Sequence, residues 1–384
     1  MDGYTAFSCG GDDCDDSNPS VWAYTYDQRP ITDVWHSISP SLVWTGTDLG
    51  LAWADSRDMG DGLEIYFARV STSLTKVGGD VRITTDAQQS DQPSLVWTGS
   101  EYALAWSDWR SLIARDIYFT RLDSVGRRIT GDTRLTEALH STSSYEPSLV
   151  WTGSEFGVAF TNGENGDIYF ARLTAGGDEI GSEVSIDTDP VAQGCCSRMV
   201  WTGIEYGLVW NASVSGDQEV RFCRLTSAGS PIGSITVLES LAEMPDSTSP
   251  NLIWDGSNLS LVWTGNATDN DEIYLTRIDE SGVEIGVEIQ LTNTADRSRY
   301  PAIVWNGNEY GLFWQEISST SQLDYFTRFG RDGRRLSPDI PFSFSQYHDD
   351  RLSLIWTGHE YILAWSDYRG MDRDIYLGRI GCGW

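Results

Sequence analysis

Pro40-Ser41-Leu42-Val43-Trp44-Thr45-Gly46 is the stretch on which the fold turns, because its pattern returns six more times in 384 residues. The later copies centre on Trp97, Trp151, Trp201, Trp254, Trp305 and Trp356, at spacings of 53, 54, 50, 53, 51 and 51 residues. Each copy opens a unit of four short strand signals. The Ser-Leu-Val-Trp run is followed by a tight turn such as Thr98-Gly99-Ser100-Glu101, where glycine supplies the backbone freedom that a hairpin needs. The second run, Tyr102 to Trp106, alternates large and small residues with the period of a strand. A polar loop leads to the third run, Asp116 to Leu122, and a turn at Gly126 leads to the fourth, Asp132 to Thr136.

Four antiparallel strands in a unit of about 40–50 residues is the pattern of a propeller blade. Seven copies predict an all-β, seven-bladed β-propeller, with blade cores beginning near residues 40, 93, 147, 197, 250, 301 and 352. The seventh unit stops after its third strand, Asp374 to Ile380. The missing fourth strand resembles Arg29-Pro-Ile-Thr-Asp33, so a closing strand at 28–34 is expected to complete the last blade and remove an open sheet edge. Two regions follow: an acidic Cys/Asp-rich segment at 1–21 and the propeller at 22–384.

Fifty-six acidic against 26 basic residues give a net charge of −30. That balance argues against nucleic acid, whose phosphates need clustered Lys and Arg, and against anionic membrane surfaces. No apolar run approaches the ~20 residues of a membrane span, so no membrane insertion is expected. No leader is visible after Met1-Asp2-Gly3, and an extracellular chain implies one removed upstream. Six cysteines (Cys9, Cys14, the adjacent pair Cys195 and Cys196, Cys223 and Cys382) lean towards an oxidising compartment and disulfides of open connectivity. Cys223 takes a strand position held by Ala or Thr in other repeats and reads as a buried free thiol.

Residues that recur in every blade are read as packing. This covers Trp44 and its six equivalents, and the second-strand Trp53, Trp106, Trp210, Trp263, Trp314 and Trp365, with Phe160 in the same slot of blade three. It also covers the third-strand Arg69, Arg121, Arg172, Arg224, Arg277, Arg328 and Arg379, expected to form inter-blade ion pairs or backbone clamps. Acidic residues five positions earlier (Glu64, Asp116, Asp167, Glu219, Glu272 and Asp374) are the candidate partners, and blade six departs with Leu323.

Function is sought in the loops joining strands two to three and strand four to the next blade, which leave a propeller on one face. The aromatics there that escape the repeat are Trp35, Trp109, Tyr145, Tyr347 and Tyr368, and these are the candidate ligand-binding residues. His36, His140 and His348 fall in the same connections. No nucleophile motif, metalloprotease motif or phosphate-binding glycine loop occurs, so no catalytic residue is assigned. If the chain is an enzyme, His36, His348, Tyr347 and Arg369 are the candidates.

Cys9-Gly-Gly-Asp-Asp-Cys14-Asp-Asp-Ser-Asn18-Pro-Ser-Val21 resembles the acidic metal-binding repeats of secreted bacterial proteins of the MopE type. The resemblance implies calcium, with Asp13, Asp15, Asp16 and Asn18 as ligands and Asp2 as a further one, since hard oxygen donors suit Ca²⁺. It covers about twenty residues, and the second Cys/Asp loop of that family is absent: Val21 runs on into Trp22-Ala-Tyr. The blades, with their Trp-Ser-Asp and Asp-Ile-Tyr-Phe phrases, resemble TolB-like or WD40-like repeats of secreted bacterial propellers over residues 28–380. The expected function is a secreted or cell-surface recognition or scaffold protein, binding a glycan or protein on the loop-rich face, with structural calcium. The alternatives are a polysaccharide-degrading enzyme (a lyase or glycoside hydrolase) and a subunit of an extracellular assembly, since this fold alone assigns no activity.

Overall fold

In the computed structural model of the chain, seven four-stranded antiparallel sheets form the blades of a propeller. It describes residues 23–381 apart from 32–35, 59–61, 86–87, 137–141, 164–165, 190–191, 216, 242–248, 267–269, 319–321, 342–351 and 369–371. Blade 2 is representative: Ser90–Trp97 is innermost, then Tyr102–Asp108, Asp116–Leu122 and a short outer strand, Thr133–Arg134. Blade 4 has the longest strands, Ala192–Trp201, Glu205–Val214, Asp217–Thr226 and Pro231–Leu241. Among the described residues no helix is long and apolar enough to cross a membrane.

Closure follows the expected route with different bounds. Ala23–Gln28 is the outer strand of blade 7 and pairs antiparallel with Asp374–Gly381, from Ala23 opposite Gly381 to Gln28 opposite Leu377. The strand therefore ends where the sequence placed its start. Pro30 explains the limit, since it has no N–H to give to a ladder. Arg29, the next residue, forms an ion pair with Asp374. The same contact ties outer to third strand elsewhere, Arg82 to Glu64 at 2.9 Å and Arg134 to Asp116 at 2.7 Å. Beyond it, Ile31 is fully buried in the cluster between blades 7 and 1.

The repeat residues do pack. All six second-strand tryptophans are at most 1% exposed, and the innermost ones lie half-buried against the inter-blade clusters. Blades interlock through the large residue near the start of each second strand, aromatic in five blades (Tyr102, Phe156, Tyr206, Tyr310, Tyr361) and leucine in two (Leu49, Leu259). A Cβ added to Gly311 would sit 2.5 Å from Tyr361 of the next blade, so only glycine admits that ring.

Each third-strand arginine for which a pair is seen binds an acid in its own first hairpin turn, not the acid five residues earlier. Arg172 meets Glu155 at 2.7 Å, Arg224 meets Glu205 at 2.7 Å and Arg328 meets Glu309 at 2.9 Å. The turn acid is nearer because an antiparallel third strand carries its far end alongside the hairpin. The expected backbone clamp does occur, with Arg121 donating to the Gly176 carbonyl and Arg379 to the Thr72 carbonyl, both in the following blade.

Blades 1 and 2 share a second device. Asp108, fully buried, accepts from Ser90 Oγ, Trp106 Nε1, the Arg110 amide and Arg110 Nη2 at 2.7–2.9 Å. Arg110 continues to Asp132, just before the outer strand, at 2.7 Å and lies 4.0 Å over the Tyr118 ring. Asp55 and Arg57 repeat this in blade 1. Burial alone would raise both carboxyls, but hydrogen bonds from the arginine and tryptophan outweigh it and hold them below the usual range.

Candidate functional site

The innermost strands begin on the loop-rich face, and there the ladder is broken in blade after blade. Register shifts lie between Ile38 and Ser41, Asp91 and Ser94, Tyr145 and Ser148, Cys195 and Arg198, and Arg299 and Ala302. Inside these bulges stand left-handed residues that are not glycine: Ser39 (φ 54°), Gln92 (58°), Glu146 (57°), Cys196 (61°) and Tyr300 (54°). Ser249 (33°) takes the same place in blade 5. Such φ values are unfavourable for side-chain-bearing residues and gather where a structure over-determines them. The following proline in five of the six (Pro40, Pro93, Pro147, Pro250, Pro301) removes a ladder donor and favours a bulge. The freed amides find partners in the preceding blade. Glu146 N–H donates to Gln92 Oε1 at 2.9 Å, and Cys196 N–H donates to Glu146 Oε2 at 2.7 Å.

The bulges surround the mouth of the central channel, where two adjoining polar depressions of about 100 and 170 Å³ share Glu146, Arg198 and Leu352. The lining is lopsided. On one side Ser353, Ser41, Ser94 and Ser148 each accept the amide of the next blade (Leu42, Leu95, Leu149, Met199) at 2.9–3.1 Å, closing the wall with itself. On the other side Arg198, Asn251 and Ala302 stand in the serine's place. Arg198 is exposed and donates to the Ser197 carbonyl at 3.0 Å. With Glu146, Asn251 and Tyr300 it puts one cation, one anion, an amide and a phenol around one cavity. That set can take a ligand rich in hydroxyl or carboxyl groups.

Of the residues singled out from sequence, Trp109 and Tyr145 share a neighbourhood. Arg115 bridges them: its guanidinium lies 5.2 Å over the Trp109 ring and pairs with Asp91 at 3.2 Å. Burial raises the Tyr145 phenol to about 12, helped by Glu146, Cys195 and Cys196 and opposed by Arg115. The buried Trp109 Nε1 has no hydrogen-bond partner among the described residues. Tyr368 belongs to a separate group between blades 7 and 1. Its ring meets that of His36 edge-on at 5.9 Å, Arg373 lies 4.5 Å over it, and the Arg373 amide donates to His36 Nδ1 at 3.3 Å. Trp35, His140, Tyr347, His348 and Arg369 lie outside the described residues, as do Asp2, Asp13, Asp15, Asp16 and Asn18.

Glu146, Arg198, Tyr300 and Arg115 escaped the sequence reading. For Glu146 and Tyr300 a signal was present, since the residue five places before the repeat Trp reads Ser, Gln, Glu, Cys, Ser and Tyr through blades 1 to 6; for Arg198 it was the break in the serine that four blades carry three places before that Trp. Among the described residues no group of three or more His, Cys, Asp or Glu is placed to hold a metal ion. Cys195, Cys196 and Cys223 are free thiols, so none of the expected disulfides falls among the described residues. Cys223 is 1% exposed, as its strand position suggested, and burial raises its thiol to about 11.

No protein-family model matches the chain, and no curated protein matches it in sequence. Solved structures match it in shape. A puromycin-hydrolyzing peptidase of Mycobacterium tuberculosis superposes with a TM-score of 0.58 at 12% identity, over 87% of this chain and 49% of that one. The chain thus spans about half the length of that peptidase. An oligogalacturonate lyase from Vibrio parahaemolyticus gives 0.53 at 10% identity, over 94% and 96% of the two chains. The α-L-arabinofuranosidase Arb93A from Fusarium graminearum gives 0.55 at 8%, over 93% and 98%. At these identities the likeness is one of fold: the chain has the architecture of propellers that carry peptidase, lyase and glycosidase chemistry.

Proposed function

We propose that the chain is a recognition protein that holds a carbohydrate at the channel mouth on its loop-rich face. The observation that carries this is the convergence of Arg198, Glu146, Asn251 and Tyr300 on one open, polar cavity, whose lining holds four left-handed residues, Glu146, Cys196, Ser249 and Tyr300. Donors and acceptors of both charge types suit a polyol or sugar acid, and Tyr145, next to Glu146 in the chain, is the aromatic to test with them. Among propellers of this fold, an oligogalacturonate lyase and an α-L-arabinofuranosidase make plant-type polysaccharides the class to test first. A secreted or cell-surface setting, and a calcium ion bound by Asp13, Asp15, Asp16 and Asn18 with Asp2, belong to the same proposal.

The test is affinity electrophoresis through gels containing neutral and acidic polysaccharides, with calcium and with EDTA, each polymer being assayed for shortening. Retardation without shortening is the expected result. Shortening would make the chain a polysaccharide-degrading enzyme, the reading that its lyase and glycosidase neighbours favour, and would direct substitutions to Tyr145, Arg115 and His36. A ligand present at about 100 times its Kd should stabilise the fold by roughly 2.7 kcal/mol, so a calcium-binding chain should melt lower in EDTA.

A further inference from the structure

Adjacent residues of an extended strand place their side chains on opposite faces, which keeps neighbouring cysteines apart. Cys195 and Cys196 break that rule. The bulge between Cys195 and Arg198, with Cys196 at φ 61°, turns both thiols to one side and brings their Sγ atoms to 2.8 Å. Both residues are partly exposed, and Cys196 lines the channel-mouth cavity. Cys196 Sγ donates to Cys195 Sγ, so the hydrogen bond holds Cys196 as the donor and leaves Cys195 as the acceptor. Cys223, by contrast, is sealed in the core. Equivalent bulges in other blades hold Ile38-Ser39, Asp91-Gln92, Tyr145-Glu146 and Arg299-Tyr300, so blade 4 alone of these five carries sulfur there.

We propose that Cys195 and Cys196 form a reversible redox site at the channel mouth, oxidised to a vicinal disulfide by exchange with a small disulfide such as oxidised glutathione. In the first step Cys195 thiolate attacks one sulfur of the reagent, and a first thiolate leaves and takes up a proton. In the second, Cys196 thiolate attacks Cys195 Sγ in the mixed disulfide, and the second reagent thiolate leaves. The protein loses two hydrogens, and the small disulfide is reduced to two thiols. Burial and the bond to Cys195 raise the Cys196 thiol, with the Cys195 bond the larger cause, so ring closure quickens as pH rises. The peptide between the two residues supplies the amide that Glu146 grips, so the geometry of the mouth follows the redox state. The proposal holds whatever ligand the mouth takes.

The test equilibrates the full chain against graded ratios of reduced to oxidised glutathione, traps thiols by alkylation and maps peptides by mass spectrometry. The peptide holding Cys195 and Cys196 should pass from doubly alkylated to unalkylated and two hydrogens lighter, with a two-electron dependence on the ratio and no glutathione retained. Cys195→Ser should instead accumulate a glutathione adduct on Cys196. A glutathione adduct that persists on the wild-type pair, a cross-link from the pair to another cysteine, or full alkylation at every ratio would each overturn the proposal.

Discussion

Blades 2 and 4 have the same four strands and hold them by different means. In blade 2 the second strand supplies its own anchor, Asp108, which collects Ser90, Trp106 and Arg110 within the blade. Blade 4 has Ala212 at that position, and its third strand has Arg221 where blade 2 has Tyr118. The carboxylate comes from outside: Asp187, on the outer strand of blade 3, accepts from Trp210 Nε1 at 3.1 Å and Arg221 at 2.9 Å. The inner strands differ in the same sense. Blade 2 offers Ser94 to its neighbour's amide, while blade 4 offers the exposed Arg198 and the thiol pair to the channel. A closed repeat is scaffold. A repeat that borrows its anchor across the blade boundary has surface left for ligands and chemistry.

Breaking the closed blade should have the largest effect. Asp108→Ala removes the shared acceptor of Ser90, Trp106 and the Arg110 amide and guanidinium from a fully buried site, leaving Arg110 only Asp132, and should cost about 3 kcal/mol; urea unfolding reads it as a lowered midpoint. Asp187→Asn should cost less, roughly 2 kcal/mol, because Arg221 keeps Glu219 and Asp189. If the two variants prove equally damaging, the borrowed anchor is as indispensable as the local one and the contrast weakens. Gly311→Val is expected to cost about 1–3 kcal/mol by overpacking against Tyr361.

Acid should separate the blades as well. The Asp55 and Asp108 carboxyls titrate lower in the folded than in the unfolded chain. The stability they contribute is fully present above the unfolded carboxylate value of about 4 and is lost as pH falls through the folded values. Hydrogen exchange between pH 5 and 2 should therefore show blades 1 and 2 giving way as these groups protonate. Asp108→Asn should flatten that dependence in blade 2.

Much of the scaffold was legible because seven copies of one phrase repeat the same packing instruction. The closing strand was found through Arg29 and Ile31, but its extent was misjudged. Residues 23–28 carry no repeat signal, since an outer strand is specified mainly by the ladder it joins. The arginine ring was legible and its acids were not, because Glu101 and Arg121 are 20 residues apart in sequence and meet only once the hairpin folds. Trp109 and Tyr145 stood out by departing from the repeat. Glu146 and Arg198 did not, because they lie within strands whose regularity marked them as framework.

Replacing Arg198 by serine is the smallest change in stability and the most direct test of the central claim. Arg198→Ser restores the serine that four other blades carry and should leave the melting temperature close to that of wild type, within the effect of about 1 kcal/mol. In polysaccharide gels it should lose the retardation of the wild-type chain by tenfold or more, as expected for removal of a charged hydrogen-bond donor. Unchanged retardation, with wild type retarded and the variant folded, would contradict the assignment of ligand binding to the channel mouth.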